Sequence, residues 1–316
     1  MHPGRGRLEG DTRFLDPAVA ASVGNLELVA RFIVEGFLIG LHRSPYHGFS
    51  AEFASYREYA PGDDLRHLDW KVFGRTDRFY LKQFEENTNL ACWLLLDCSG
   101  SMKVGGLGKV GASGKGEAGR VSKFTYARQL AAGLAYMMLK QQDAVGMLAF
   151  ADGPVASVNA HARTVQLGNV LAQLSRLVPE KGTDVARGLA TLPDKLTRRG
   201  LVVFISDCLA DPAEITDAMR LFRARGHEVI VFHVLSPEER DFPFSDLTEF
   251  VDAETEERLL THPSDLKRAY LEALAEHVST LKGACDEMNV DFVELRTDTR
   301  LDRALVDYLA KRRRVG

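Results

Sequence analysis

Four cysteines in 316 residues are too few and too scattered for a disulfide framework. Cys92, Cys98, Cys208 and Cys285 have neither the paired spacing of a zinc site nor the density of a small secreted scaffold. Long apolar runs are missing too: none approaches the roughly 20 residues needed to span a bilayer. Residues 1–16 are rich in Gly and Arg without an apolar centre, so no signal peptide is expected there. Neither sign of charge is in large excess, with 40 Lys and Arg against 44 Asp and Glu and a formal net charge of −4. That removes the global basic field which would make nucleic acid a default partner. Lys311-Arg312-Arg313-Arg314 reads as a solvated helix end, where cations suit the carboxyl-terminal dipole. These absences together lead to the expectation of a cytoplasmic protein without a membrane span. The length and the 45% hydrophobic content allow a sizeable core in one large domain or two ordinary ones.

What is present centres on Trp93-Leu94-Leu95-Leu96-Asp97-Cys98-Ser99-Gly100-Ser101-Met102. An uninterrupted apolar run bounded by turn residues predicts a strand buried on both faces, as in a parallel sheet covered by helices. The loop at the carboxyl end of such a strand is where open α/β sheets place their ligands. Asp97, Ser99 and Ser101 are oxygen-bearing side chains, a set that suits hard cations such as Mg²⁺, Mn²⁺ or Ca²⁺.

Elsewhere, strand and helix patterns alternate. A helix is expected from Asp16-Pro17 to about Leu41, with Glu27, Arg31 and Glu35 as a polar stripe beside Val29, Phe32, Ile33 and Phe37. Residues 42–90 change character: Phe49, Ala51 and Phe53 alternate with polar neighbours, and residues 79–84 form a second aromatic strand candidate. Between them, Pro61-Gly62-Asp63-Asp64 signals a turn; Asp63, Asp64, His67 and Asp69 could be metal ligands, but Arg66 and Lys71 nearby can neutralise the three carboxylates, and that structural reading is preferred. Residues 103–119 form a Gly- and Lys-rich loop. Gly106-x-Gly108-x-x-Gly111 fits a dinucleotide fingerprint only literally, because that motif must join a strand directly to a helix. Helices are expected from near Ser122 to Leu139, over 164–177, through Val185 to Leu192, from Asp211 to Gly226, from about Ser264 to Met288 and over 301–313. Strands are expected at 144–150, 155–158 (an edge), 201–205, 229–235 and 291–295, with 242–251 irregular. This alternation implies an α/β fold with a doubly wound, mostly parallel sheet, preceded by a helix and a small β-rich segment.

Leu201 to Ile205 is a second buried run that ends in an acid, Ser206-Asp207. In a doubly wound sheet its loop, the Asp97 loop and the loop carrying Lys181-Gly182-Thr183-Asp184 can share one edge. Asp97, Ser99, Ser101, Thr183 and Asp207 would then converge on one cation. Hydroxyl ligands leave an ion under-neutralised and able to accept a further carboxylate.

The pattern Asp97-x-Ser99-x-Ser101, Gly182-Thr183-Asp184 and Ser206-Asp207 resembles the metal-ion-dependent adhesion site of von Willebrand factor type A (vWA) domains. The likeness covers roughly residues 90–300. It implies hydroxyl ligands from Ser99, Ser101 and Thr183, with Asp97 and Asp207 binding directly or through water. Gly48-Phe49-x-x-Glu52-Phe53, Arg57-x-Tyr59-x-x-Gly62-Asp63-Asp64-x-Arg66, Asp69-Trp70 and Tyr80-x-Lys82-x-Phe84-Glu85-Glu86 are similar to the bacterial family called domain of unknown function 58. That family is commonly associated with MoxR-type AAA+ ATPases. The resemblance implies a non-enzymatic, metal-dependent module that binds a partner's carboxylate, working with such an ATPase or its client. Four segments are expected: a tail over 1–16, the family-specific helix and β segment over 17–90, a vWA-like domain over 91–300, and a closing helix over 301–316.

A metal-dependent phosphatase or hydrolase is the alternative. Haloacid-dehalogenase-like phosphatases need a second Asp where Ser99 stands, and a general base within reach. His161 and His233 qualify only by residue type. Cys98 and Cys208 each follow a site aspartate; two small buried residues are the simpler reading than a redox pair.

Overall fold

The computed structural model describes residues 26–31, 34, 56–58, 80–82, 91–105, 121–163, 165–179, 185–196 and 198–305. The chain divides into two compact units, Met1–Arg43 with Leu90–Gly316, and Ser44–Asn89. In the smaller unit β1 (Tyr56–Glu58) pairs antiparallel with β2 (Tyr80–Lys82).

The larger unit is built on β3 (Ala91–Asp97), β4 (Ala144–Phe150), β5 (Pro154–His161), β6 (Gly200–Ser206), β7 (Glu228–Leu235) and β10 (Asp291–Arg296). Between β7 and β10 in sequence, β8 (Thr248–Val251) and β9 (Arg258–Thr261) form a separate antiparallel hairpin. The six strands lie in the order β10-β7-β6-β3-β4-β5. Pairings from β10 to β4 are parallel, and β5 runs antiparallel along β4. The expected doubly wound, mostly parallel sheet is therefore present.

The residue pattern explains why both faces are covered. β3, β4 and β6 are buried at every position, and successive side chains in a strand point to opposite faces. Cys92, Leu94 and Leu96 pack with Ala127, Leu130 and Leu134 of the helix Lys123–Lys140 and with Val170 and Leu174 of the helix Gln166–Arg176. Trp93 and Leu95 pack on the other face with Met219 and Phe222 of the helix Pro212–Ala224 and with Leu281 of the helix Pro263–Glu287. At β5 the burial alternates, as befits an edge. Where β3 and β6 begin, a Cβ on Gly200 would run into the Ala91 carbonyl oxygen. This position requires the missing side chain, not conformational freedom.

The strand order places a reversal between β3 and β6. From β3 the chain winds outward through β4 to β5, returns to β6, then winds the other way through β7 to β10. A crevice at the carboxyl ends of the strands opens at such a reversal, and ligands of doubly wound folds bind there. Leu96 pairs with Ile205, so Asp97 and Ser206-Asp207 both emerge at this point.

Several expectations shift in detail. The edge strand runs over Pro154–His161, and the helix expected through Leu192 stops at Ala190, followed by a 3₁₀ turn at Leu192–Lys195. In the first helix the buried positions are Leu26, Ala30 and Val34, while Val29 is partly buried. Of the expected apolar stripe, Val29 packs against this core, Phe32, Ile33 and Phe37 lie outside the described residues, and the Glu27–Arg31 pair forms at 2.7 Å. The stretch read as irregular contains β8: four residues of strand pattern are too short to stand out until β9 pairs with them. Expectations for residues 49–53, 61–71, 106–119 and 181–184, and for the helix beyond 305, lie outside the described residues. Among the described residues no helix is long and apolar enough to cross a membrane.

None of the four cysteines is in a disulfide, and all are buried. Burial pushes the Cys92 thiol up to about 12 and the Cys285 thiol to about 12, and raises that of Cys208. Since the thiolate is the reactive form, native protein at pH 8 should take up almost no iodoacetamide, and denatured protein should take up four equivalents, counted by mass spectrometry. Rapid native labelling of Cys208 would contradict this packing.

Candidate metal centre

At the reversal, β3 ends in Asp97, which is fully buried. One carboxylate oxygen accepts the Ser99 N–H at 2.8 Å and the other accepts the Ser206 hydroxyl at 2.5 Å. These bonds bind the loop after β3 to the end of β6. A 3₁₀ turn, Gly100–Lys103, follows, and it leaves the Ser99 and Ser101 hydroxyls 2.9 Å apart. Burial raises the Asp97 pKa, and the negative charge of Asp207 raises it further, against the three stabilising hydrogen bonds from Ser206 and Ser99. A negative charge beside a carboxyl that is out of water disfavours its ionisation.

Asp207 has a cation of its own. Lys123, at the first turn of its helix and 0% exposed, places Nζ 2.7 Å from Asp207 Oδ2. The same ammonium donates to Glu239 Oε1. Burial opposes the charge on Lys123, but Asp207 and Glu239 outweigh it and its pKa is raised. Glu239 is held by a capping box at the start of the helix Pro237–Asp241: it accepts the Ser236 N–H at 2.8 Å and donates its own N–H to Ser236 Oγ at 3.2 Å. Reciprocal bonds of this kind fix both residues. Ser122 caps the helix that carries Lys123, accepting the Thr125 N–H at 3.2 Å.

Backbone bonds set the turn after Asp207. Cys208 adopts a left-handed φ of 52° and donates its N–H to Ser206 Oγ at 2.8 Å. His233 Nε2 lies 2.9 Å from the Asp207 carbonyl and His277 Nε2 lies 2.7 Å from that of Cys208. With the carbonyl as acceptor, each imidazole donates. His233 is fully buried, and burial pushes its pKa down to about 4. It is a neutral pin for the turn, not a poised base. His161 pairs with Val145 at the opposite end of β4, on the far edge of the sheet.

Of the residues expected to hold a cation, Asp97, Ser99, Ser101 and Asp207 are brought to one place, and Thr183 lies outside the described residues. The donors are all oxygen. Among the described residues no three Asp, Glu, His or Cys side chains form a metal-holding group; this set consists of two carboxylates and two hydroxyls. Asp207 and Glu239 share the Lys123 ammonium, while Asp97 accepts from Ser99 and Ser206; the acids outnumber the cation, and a hard divalent ion fits that excess. Lys123, Ser206 and Glu239 were not foreseen. Ser236-Pro237-Glu238-Glu239 carries a capping-box signature that marks Glu239 as a fixed side chain. No local pattern announces Lys123, whose partners lie 84 and 116 positions away.

The family described as "Protein of unknown function DUF58" matches residues 55–280. The chain belongs to that family. This DUF58 chain is 29% identical over 322 residues to uncharacterized proteins of Mycobacterium bovis and Mycobacterium tuberculosis, across 99% of its own length and 95% of theirs. It is also similar to solved structures. BatB from Bacteroides thetaiotaomicron superposes with TM-score 0.42 at 14% identity, over 71% of this chain and 99% of that one. An aerotolerance-related membrane protein from Bacteroides fragilis gives 0.44 at 16%, over 70% and 99%. The SpRpn10 VWA domain gives 0.37 at 10%, over 68% and 93%. These superpositions are too loose to bear on function, and the doubly wound architecture rests on strand order and register.

The buried ammonium gives a direct test. Lys123→Met leaves Asp207 and Glu239 without their counter-charge, and breaking a buried pair this way costs about 3–5 kcal/mol. Thermal unfolding should show Tm lowered on the order of 10 °C. An unchanged Tm would contradict the ion-pair geometry.

Proposed function

We propose that this chain is a metal-dependent protein-binding module rather than an enzyme. Asp97, Ser99, Ser101 and Asp207, with Thr183, would hold Mg²⁺ (or Mn²⁺ or Ca²⁺), and the ion would supply an attraction for a carboxylate of a partner protein. The observation that carries this reading is the pair of buried carboxylates beside two hydroxyls at the sheet reversal, with one ammonium shared between Asp207 and Glu239. Asp97 is tied by Ser99 and Ser206, and Asp207 by Lys123. Both are therefore positioned before any ligand arrives, which lowers the ordering cost of binding. The vWA-like sequence pattern and the DUF58 membership favour a MoxR-type AAA+ ATPase, or its client, as the partner that presents the carboxylate. Against a hydrolase stands the placement of the two candidate bases, one buried and neutral, the other on the far edge.

Calorimetry with Mg²⁺ on native protein and Asp97→Asn tests the reading. The variant should lose more than about 100-fold in affinity, beyond the roughly 10–100-fold that loss of a supporting residue costs. Its metal-free Tm should be no lower than native, because one of two crowded buried charges is gone. Equal Mg²⁺ affinity in both proteins would sink the proposal. Affinity purification with and without Mg²⁺ should recover a AAA+ ATPase only with metal and native Asp97.

A further inference from the structure

The β8–β9 hairpin comes down on the loop that carries Ser99 and Ser101. A Cβ built on Gly100 would lie 2.7 Å from the Ala253 carbonyl oxygen and 3.3 Å from Glu254 Cγ. The hairpin tip and the candidate ligand loop are therefore in backbone contact, a fit that a residue other than glycine would break. The tip has a defined shape: Asp252 Oδ1 accepts the N–H groups of Glu254 at 2.8 Å and Thr255 at 2.7 Å, and Asp252 N–H donates to the Glu257 carbonyl at 2.9 Å. This turn aims Glu254 inward. Its carboxylate accepts the backbone N–H of Ser101, between the two hydroxyl-bearing residues of the site.

Glu254 is half-buried in a strongly acidic setting. Asp207, Asp252 and Asp152 all act on it as like charges. A surface glutamate with no role would turn outward to water rather than toward Asp207. A carboxylate held here is unfavourable without a cation and favourable with one.

We infer that Glu254 is an internal stand-in for the partner's carboxylate, and that the β8–β9 hairpin is a lid that must lift before a partner can reach the site. This rests on the metal-binding reading above and adds its regulation. In the closed state the chain's own glutamate competes for the open face of the site. A partner must then bind more tightly than an intramolecular group present at high effective concentration. Such competition gives the module a low resting affinity for stray acidic surfaces.

The test uses the full chain with Mn²⁺ as probe, following water-proton relaxation by the bound ion and hydrogen exchange of amides 248–261. In native protein, Mn²⁺ should slow exchange across the hairpin. In Glu254→Gln, Mn²⁺ should still bind, its relaxivity should rise as water replaces the carboxylate, and the metal-dependent protection should be lost. Gly100→Ala, which wedges the hairpin away while keeping the glutamate, should reproduce both changes. Bound Mn²⁺ with unchanged relaxivity and protection in Glu254→Gln would overturn the lid while leaving the metal site standing. Failure of native protein to bind Mn²⁺ at all would overturn both.

Discussion

Two aspartates, Asp97 and Asp207, end neighbouring strands and are buried together where water cannot screen them. Every other feature of the edge answers that constraint. Ser206 and the Ser99 amide tie down one carboxylate, and Lys123 answers the other. Lys123 in turn requires Glu239, which the capping box at Ser236 holds in place. A fold seeking stability alone would replace such a network with apolar side chains, which is often neutral or stabilising.

The sheet supplies the rigidity that this arrangement needs. β3, β4 and β6 are sealed on both faces, so the loops at their carboxyl ends are mounted on the least deformable part of the molecule. The turn after β6 reverses at Cys208 with a left-handed backbone, pinned by His233 and His277. Backbone strain of this kind is tolerated where the surroundings over-determine it. By contrast, the β8–β9 hairpin pairs only with itself and exposes Val251, Leu259 and Leu260. Its inner side is held by aromatic packing: Phe250 stacks on Phe242 at 5.6 Å and meets Phe244 edge-on at 5.3 Å.

Much of this was legible in the residues. Continuous apolar runs announced β3, β6 and β7, and the acids at the ends of two of them marked the site before any topology was known. Sequence patterns report local periodicity, so they gave the strands and the loops in which ligands sit. They did not reveal the cross-chain chemistry. Lys123 looks like an ordinary first-turn lysine until the sheet brings it to Asp207. Glu254 looks like one acid among several in Asp252-Ala253-Glu254-Thr255-Glu256-Glu257 until Gly100 packs beneath it.

The central claim is that the acids and hydroxyls at the β3–β6 reversal hold a divalent cation. Anomalous scattering from crystals grown with Mn²⁺ tests it most directly. The account predicts a peak bounded by Asp97, Ser99, Ser101 and Asp207, with Lys123 still paired to Asp207. Ordered density for these side chains with no anomalous peak among them, at saturating Mn²⁺, would contradict it.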